Sequence, residues 1–185
     1  MIDRYSREEM AKIWDLNSKF DYYLQVELAV CDAYAELGTI PKDAAKQIRE
    51  KASFTVERID EIEREVRHDV IAFLTCVNES LGDLGRFVHV GMTSSDVIDT
   101  AFALQIQDSG KIIKADLTKT IQTLKNLAKA HKDTVCIGRS HGIHAEIMTF
   151  GAKMCSWIDI LSRQKDNFEH ALEQIRVGQI SGPVG

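Results

Sequence analysis

The strongest constraint on the fold is a run of apolar residues spaced by alternating steps of three and four along the second half of the chain. From about Ser95 to about Ala130 the run passes through Val97, Ala101, Leu104, Ile113, Leu117, Ile121, Leu124 and Ala128. From about Ile143 to about Val177 it passes through Ile147, Phe150, Met154, Trp157, Leu161, Phe168, Leu172 and Ile175. Such steps hold apolar side chains on one stripe of an α-helix. At ~1.5 Å per residue each helix would span roughly 50 Å. That is longer than a compact fold of this size needs, so the pattern predicts a bundle that partner chains complete, with a long monomeric hairpin as the alternative. Gly110 interrupts the first stripe at a cost of about 1 kcal/mol relative to alanine, and a bend or break is expected there.

The first half reads as shorter helices. Phe20, Tyr23, Leu24, Val26, Leu28, Ala29 and Val30 predict a mostly buried helix from Ser18 to Gly38, with that glycine beyond its end. Pro41 opens KDAAKQIRE. Ile59, Ile62 and Val66 mark another helix, and Val70, Phe73, Leu74, Val77 and Leu81 mark the next, which runs out at Gly82. No strand pattern persists. The expected fold is all-α, with an N-terminal helical domain over residues 1–94 and the first part of a long-helix bundle over 95–185.

Composition narrows the function. With 28 Asp and Glu against 23 Lys and Arg, the chain is not suited to non-specific binding of nucleic acid or an anionic membrane. No apolar stretch approaches the roughly 20 residues of a membrane span, and MIDRYSREEM lacks the apolar core of a signal peptide. Cys31, Cys76, Cys136 and Cys155 have no C-x-x-C spacing, and several fall among apolar neighbours. Reduced thiols and a cytoplasmic location are expected.

Three polar clusters each precede an expected helix: Arg67-His68-Asp69, then Gly91-Met92-Thr93-Ser94-Ser95-Asp96, then Ser140-His141-Gly142-Ile143-His144. Capping accounts for part of this, because Asp69, Thr93, Ser94, Ser95 and Ser140 can satisfy free N–H groups, and Thr93-x-x-Asp96 nearly forms a capping box. Capping does not call for Arg67, His68 or His141. Helix N-termini also attract anions, so added Arg and His suit a phosphate or carboxylate site. Metal binding by His141 and His144 is the rival, weakened by Gly142 between them and by the lack of a third ligand beyond Glu146. No nucleophile motif appears.

In order, YSREEMAKIW, EVRHDVIAF, FVHVGMTSSDVIDTA, GRSHGIHAEIMTFGAKM and VGQISGPVG resemble the adenylosuccinate lyase family of the fumarase/aspartase superfamily. The G-x-T-S-x-D and S/T-H-G-x-H-A pieces mark the superfamily, while RYSREEM and RHDV point to the purine-pathway branch. The resemblance implies a homotetramer (a homo-oligomer whose active sites each draw on three subunits) acting on a small nucleotide substrate without cofactor or metal. The implied reaction is β-elimination that releases fumarate. It makes His141 the general acid, with His68 near the phosphate or assisting proton transfer. Thr93 and Ser94 would bind a carboxylate or phosphate, Arg67, His68 and Asp69 the nucleotide end, and Arg4 and Tyr5 the phosphoribosyl part. His89 and Ser140 join the polar pocket, and His144 packs or orients its neighbours.

The sequence departs from the family pattern at Ser140, where threonine is commoner, and at Glu146, where a small residue is. The family's serine-rich loop with Met-Pro-x-Lys is also absent, and SGPVG resembles a mid-protein turn. An N-terminal portion, inactive alone, is therefore expected. Two other readings are a sister lyase acting on argininosuccinate or aspartate, and a non-catalytic helical oligomerisation module.

Overall fold

The computed structural model describes residues 2–185. Its helices are α1 (Glu8–Ile13), α2 (Leu16–Glu36), α3 (Lys42–Lys51), α4 (Val56–Val66), α5 (Asp69–Leu81), α6 (Ser94–Ala130) and α7 (Phe150–Gln174), with strands β1 (Val135–Ser140) and β2 (Ile143–Thr149) before α7. The chain divides into two compact units, one of residues 1–108 and 176–185, the other of residues 109–175.

In the first unit, α2 begins at an N-cap, Asp15, whose carboxylate accepts from the Ser18 N–H at 2.7 Å. Phe73 of α5 is fully buried, stacked on Phe20 with centroids 5.7 Å apart and edge-on to Tyr23 and Phe54. Large rings in offset and T-shaped arrangements bury much apolar area and fix how α2 meets α5. Tyr22 donates to Asp108 at 2.6 Å, and Gln105 donates to the Ile13 carbonyl at 2.9 Å, which tie α2 and α1 to the N-terminal half of α6. Burial pushes the Tyr22 hydroxyl above its ordinary range, and the bond to Asp108 adds to this.

In the second unit, α6 continues through Gly110 without a break. The glycine serves packing, because a Cβ there would overlap the Leu172 side chain of α7. Gly151 does the same at the other end, where a Cβ would lie 2.6 Å from the Ala128 carbonyl oxygen. Between these close approaches, Lys114 and Lys165 both reach Glu169, at 2.9 and 2.8 Å, and hold its carboxyl below the usual range.

The last long helix departs from expectation. It starts at Phe150, because residues 135–149 form an antiparallel hairpin. Its two-residue turn is His141-Gly142, with φ of 51° and 79°. Positive φ at both central residues matches the twist of paired strands. Opposite Gly138 and Arg139 stand Glu146 and His144, so Ala145 is bulged out of register. The spacing of Ile143 and Ile147 fits period two as well as period 3.6, whereas β-branched Val135, Ile137, Ile143 and Ile147 favour strands. The true helix start carried a signal of its own: Thr149 accepts from the Ala152 N–H at 3.2 Å as N-cap. The fold remains a helical one with a single small sheet among the described residues.

Candidate functional site

The first two polar clusters meet in the first unit. His68 is the N-cap of α5, with Nδ1 accepting from the Ile71 N–H at 3.5 Å. An accepting Nδ1 leaves the proton of the neutral ring on Nε2, which faces Ser94 Oγ at 3.5 Å at the start of α6. Capping does not call for a histidine, yet His68 serves as a cap here, because a ring nitrogen can accept from a helix N–H as a hydroxyl does. Asp69 lies inside the helix as its first residue. One of its oxygens accepts from the Val70 N–H at 2.9 Å and the other stands 3.6 Å from Lys19 Nζ. Burial, with the Asp69 charge adding to it, pushes the neighbouring Tyr23 hydroxyl up to about 12. His68 and Asp69 occupy the Ile71 and Val70 N–H donors of α5, so an anion at this end would draw more on side chains.

Arg67 supplies one. It ends α4 in the left-handed region (φ 53°), its N–H bonded to the Glu63 carbonyl, and its exposed guanidinium makes no ion pair among the described residues. Thr93 and Ser94 are half-buried at the α6 start. Their loop is organised by Asp96, which is 1% exposed. The Asp96 carboxylate accepts from the main-chain N–H groups of Thr93 (2.9 Å), Ser181 (3.0 Å) and Gly182 (3.0 Å). These bonds, the Ser181 one foremost, hold its carboxyl below the usual range against the opposing effect of burial. The SGPVG stretch is therefore seated on the T-S-x-D loop, with Gly182 in the left-handed region against the Gly91 carbonyl.

His89 is also left-handed (φ 63°) and is held by Glu27, a residue that sequence reasoning missed. Arg4 and Tyr5 form an exposed turn with the guanidinium 4.8 Å over the ring, and neither bonds to the other candidates. Ser140 and His141 belong to the second unit, exposed at the hairpin tip; the expected helix start beneath them is absent, and so is the capping role of Ser140. His144 pairs with Arg139 across the strands and is exposed. Among the described residues no three His, Cys, Asp or Glu side chains gather as metal ligands.

One backbone property is shared by candidates from the first and third clusters and by His89, which lies just before the second. Arg67, His89 and His141 are the three non-glycine residues with positive φ among those described. L-residues avoid this region at some cost, and such positions concentrate at sites where the strain has a use. Helix-start hydroxyls and a guanidinium are groups that bind anions, and imidazole is one that can move a proton.

These features fall within a known family. The family profile described as lyase matches residues 3–185, and the chain belongs to that family. Among its relatives are adenylosuccinate lyases, 52% identical in Synechocystis, 49% in Aquifex aeolicus and 48% in Bacillus subtilis, each aligned with all of this chain and 43% of the relative. Similar solved structures include a fumarate lyase from Mesorhizobium (TM-score 0.91, 29% identity, 98% of this chain and 44% of that one). A 3-carboxy-cis,cis-muconate lactonizing enzyme from Pseudomonas putida is another (TM-score 0.88, 26% identity, 100% and 44%). The chain thus spans less than half the length of these proteins. The likeness read from the five sequence stretches is borne out by the family match and by these relatives.

Proposed function

We propose that the protein carrying this chain is an adenylosuccinate lyase of purine biosynthesis. It would cleave adenylosuccinate to AMP and fumarate, and the succinylated aminoimidazole carboxamide ribotide to its carboxamide and fumarate. The observation that carries this reading is identity of about half, over all 185 residues, to curated adenylosuccinate lyases. Identity to the solved fumarate lyase and lactonizing enzyme, 29% and 26%, is well below that.

In this β-elimination a proton leaves the carbon beside a carboxylate, the C–N bond breaks, and the departing nitrogen takes up a proton. His141 is the general acid for that nitrogen, since imidazole titrates in the useful range. Thr93, Ser94 and Ser140 offer hydroxyls to the carboxylate on which charge develops. Arg67 and His68 hold the nucleotide end, with Asp69 kept beside Lys19, and Arg4, Tyr5 and His89 complete the phosphoribosyl side. No residue of this chain is assigned the role of carbon-acid base. The exposed apolar side chains of α6 and α7, among them Ile113, Trp157 and Ile160, suit burial in a homotetramer's bundle. A cytoplasmic enzyme without cofactor completes the reading.

The test is to incubate the complete gene product with adenylosuccinate and follow fumarate. Release at an enzymatic rate is expected; release from argininosuccinate or aspartate instead would move the protein to a sister lyase, and none from any would favour the oligomerisation module.

A further inference from the structure

The geometry points to Glu27 as a positioning residue that clamps His89 at two points and sets which ring nitrogen a ligand meets; this rests on the reading of His89 as part of the substrate pocket. Glu27 lies in the middle of α2 and is 1% exposed. A carboxylate so buried is retained only where good partners compensate its lost hydration. Both of its oxygens go to one residue. Oε2 accepts from the His89 main-chain N–H at 3.0 Å, and Oε1 lies 2.6 Å from the ring Nδ1.

The two contacts do different things. The main-chain bond holds a non-glycine residue at φ 63°, a conformation that persists where the surroundings fix it. The ring bond fixes orientation and proton placement. An ionised carboxylate can only accept, so Nδ1 carries hydrogen. The other nitrogen, Nε2, has no hydrogen bond among the described residues, and the side chain remains 22% exposed. Nε2 is therefore the atom presented outward, as a lone pair on the neutral ring and as a donor on the imidazolium.

A purely structural role would end with the main-chain bond. Glu27→Gln separates the two. The amide has nearly the carboxylate's shape; its oxygen can accept from the His89 N–H while its NH2 faces Nδ1 and donates to it. The turn keeps its support, and the ring proton moves to Nε2. The experiment uses the complete gene product with 15N-labelled histidine, read by magic-angle-spinning spectra in which the His89 signals are those lost in His89→Ala, together with steady-state kinetics on adenylosuccinate.

Wild type should show a protonated Nδ1 and Glu27→Gln a bare one, with the melting temperature kept. In the variant kcat/KM should fall ~10-fold or more, as for loss of a partner that orients a functional imidazole, and the same change on a His89→Ala background should add nothing. An Nδ1 that stays protonated in Glu27→Gln, or an equal fall in kcat/KM on the His89→Ala background, overturns the inference. Wild-type kcat/KM in His89→Ala would overturn the pocket reading of His89 instead, and the nitrogen spectra would then decide the clamp by themselves.

Discussion

Around Phe73 the helices of the first unit close on one another, whereas along α6 and α7 of the second unit the apolar stripe stays half open. The first unit buries Phe20, Tyr23, Ile48, Ile59, Val70 and Phe73 nearly completely, and rings of α2, α5 and the loop before α4 share one cluster. In the second, Ile121 and Met154 are the large apolar side chains buried to the same class among the described residues, while Trp157 is 44% and Ile160 48% exposed. Both are made of amphipathic helices, so periodicity alone does not separate them. The difference is in what each stripe faces. The first region has its partners within the unit; the second spends glycines at 110 and 151 to bring α6 and α7 close and still leaves an apolar edge.

Substitutions can break or sharpen that contrast. The largest effect is expected from Phe73→Ala, which should cost about 3–5 kcal/mol in chemical denaturation because the cavity lies in a closed aromatic cluster. A cost under about 1 kcal/mol would show that the first core is looser than the contacts imply. Gly110→Ala is next. Despite alanine's better helix propensity, overlap with Leu172 should make it destabilising by about 1–3 kcal/mol, measured by thermal melting; a stabilised variant would mean that the two helices separate freely. Smallest is Trp157→Ala in the 185-residue chain, where a change within about 0.5 kcal/mol is expected for a side chain this exposed. In the complete gene product the same substitution should weaken assembly, read by sedimentation. Indifference in both settings would remove the open edge as an interface.

A pH experiment probes the site loop, with no core involved. Asp96 has a folded-state value below its unfolded value of about 3.9. Its contribution is therefore present above that pH and is lost as pH falls through the lower folded value. Asp96→Asn should melt below wild type at neutral pH, and the gap should shrink as pH drops below about 4. A gap independent of pH would assign the loop's order to something other than this carboxylate.

How much of this was legible in the sequence follows from the range of the interactions. The ends of α2, α4, α5 and α6 could be read because caps, glycines and 3.6-residue periodicity act within a few positions. The hairpin at 135–149 could not be read from spacing alone, since four-residue steps serve both periods, although Thr149 and Gly142 carried local signals. The bond of Asp96 to Thr93 was legible as a near capping box, but its hold on Ser181 and Gly182, 85 and 86 positions away, was not, nor was that of Glu27 on His89, 62 positions away. The left-handed backbone at Arg67, His89 and His141 was hidden as well, because none of these residue types requires it. Arg67 and His141 were nevertheless singled out from the polar clusters, and His89 by the resemblance, and that agreement gives the strained positions their interest.

If the hairpin tip carries histidine for proton transfer and not for shape, glycine should suit the backbone there and fail the chemistry. His141 makes no side-chain hydrogen bond among the described residues, and glycine adopts its φ of 51° freely. The decisive measurement is fumarate release by His141→Gly in the complete gene product, with its melting temperature taken alongside. The account predicts an unchanged or raised melting temperature with kcat at least ~10²-fold lower, the low end for loss of a general acid. A wild-type kcat would contradict it.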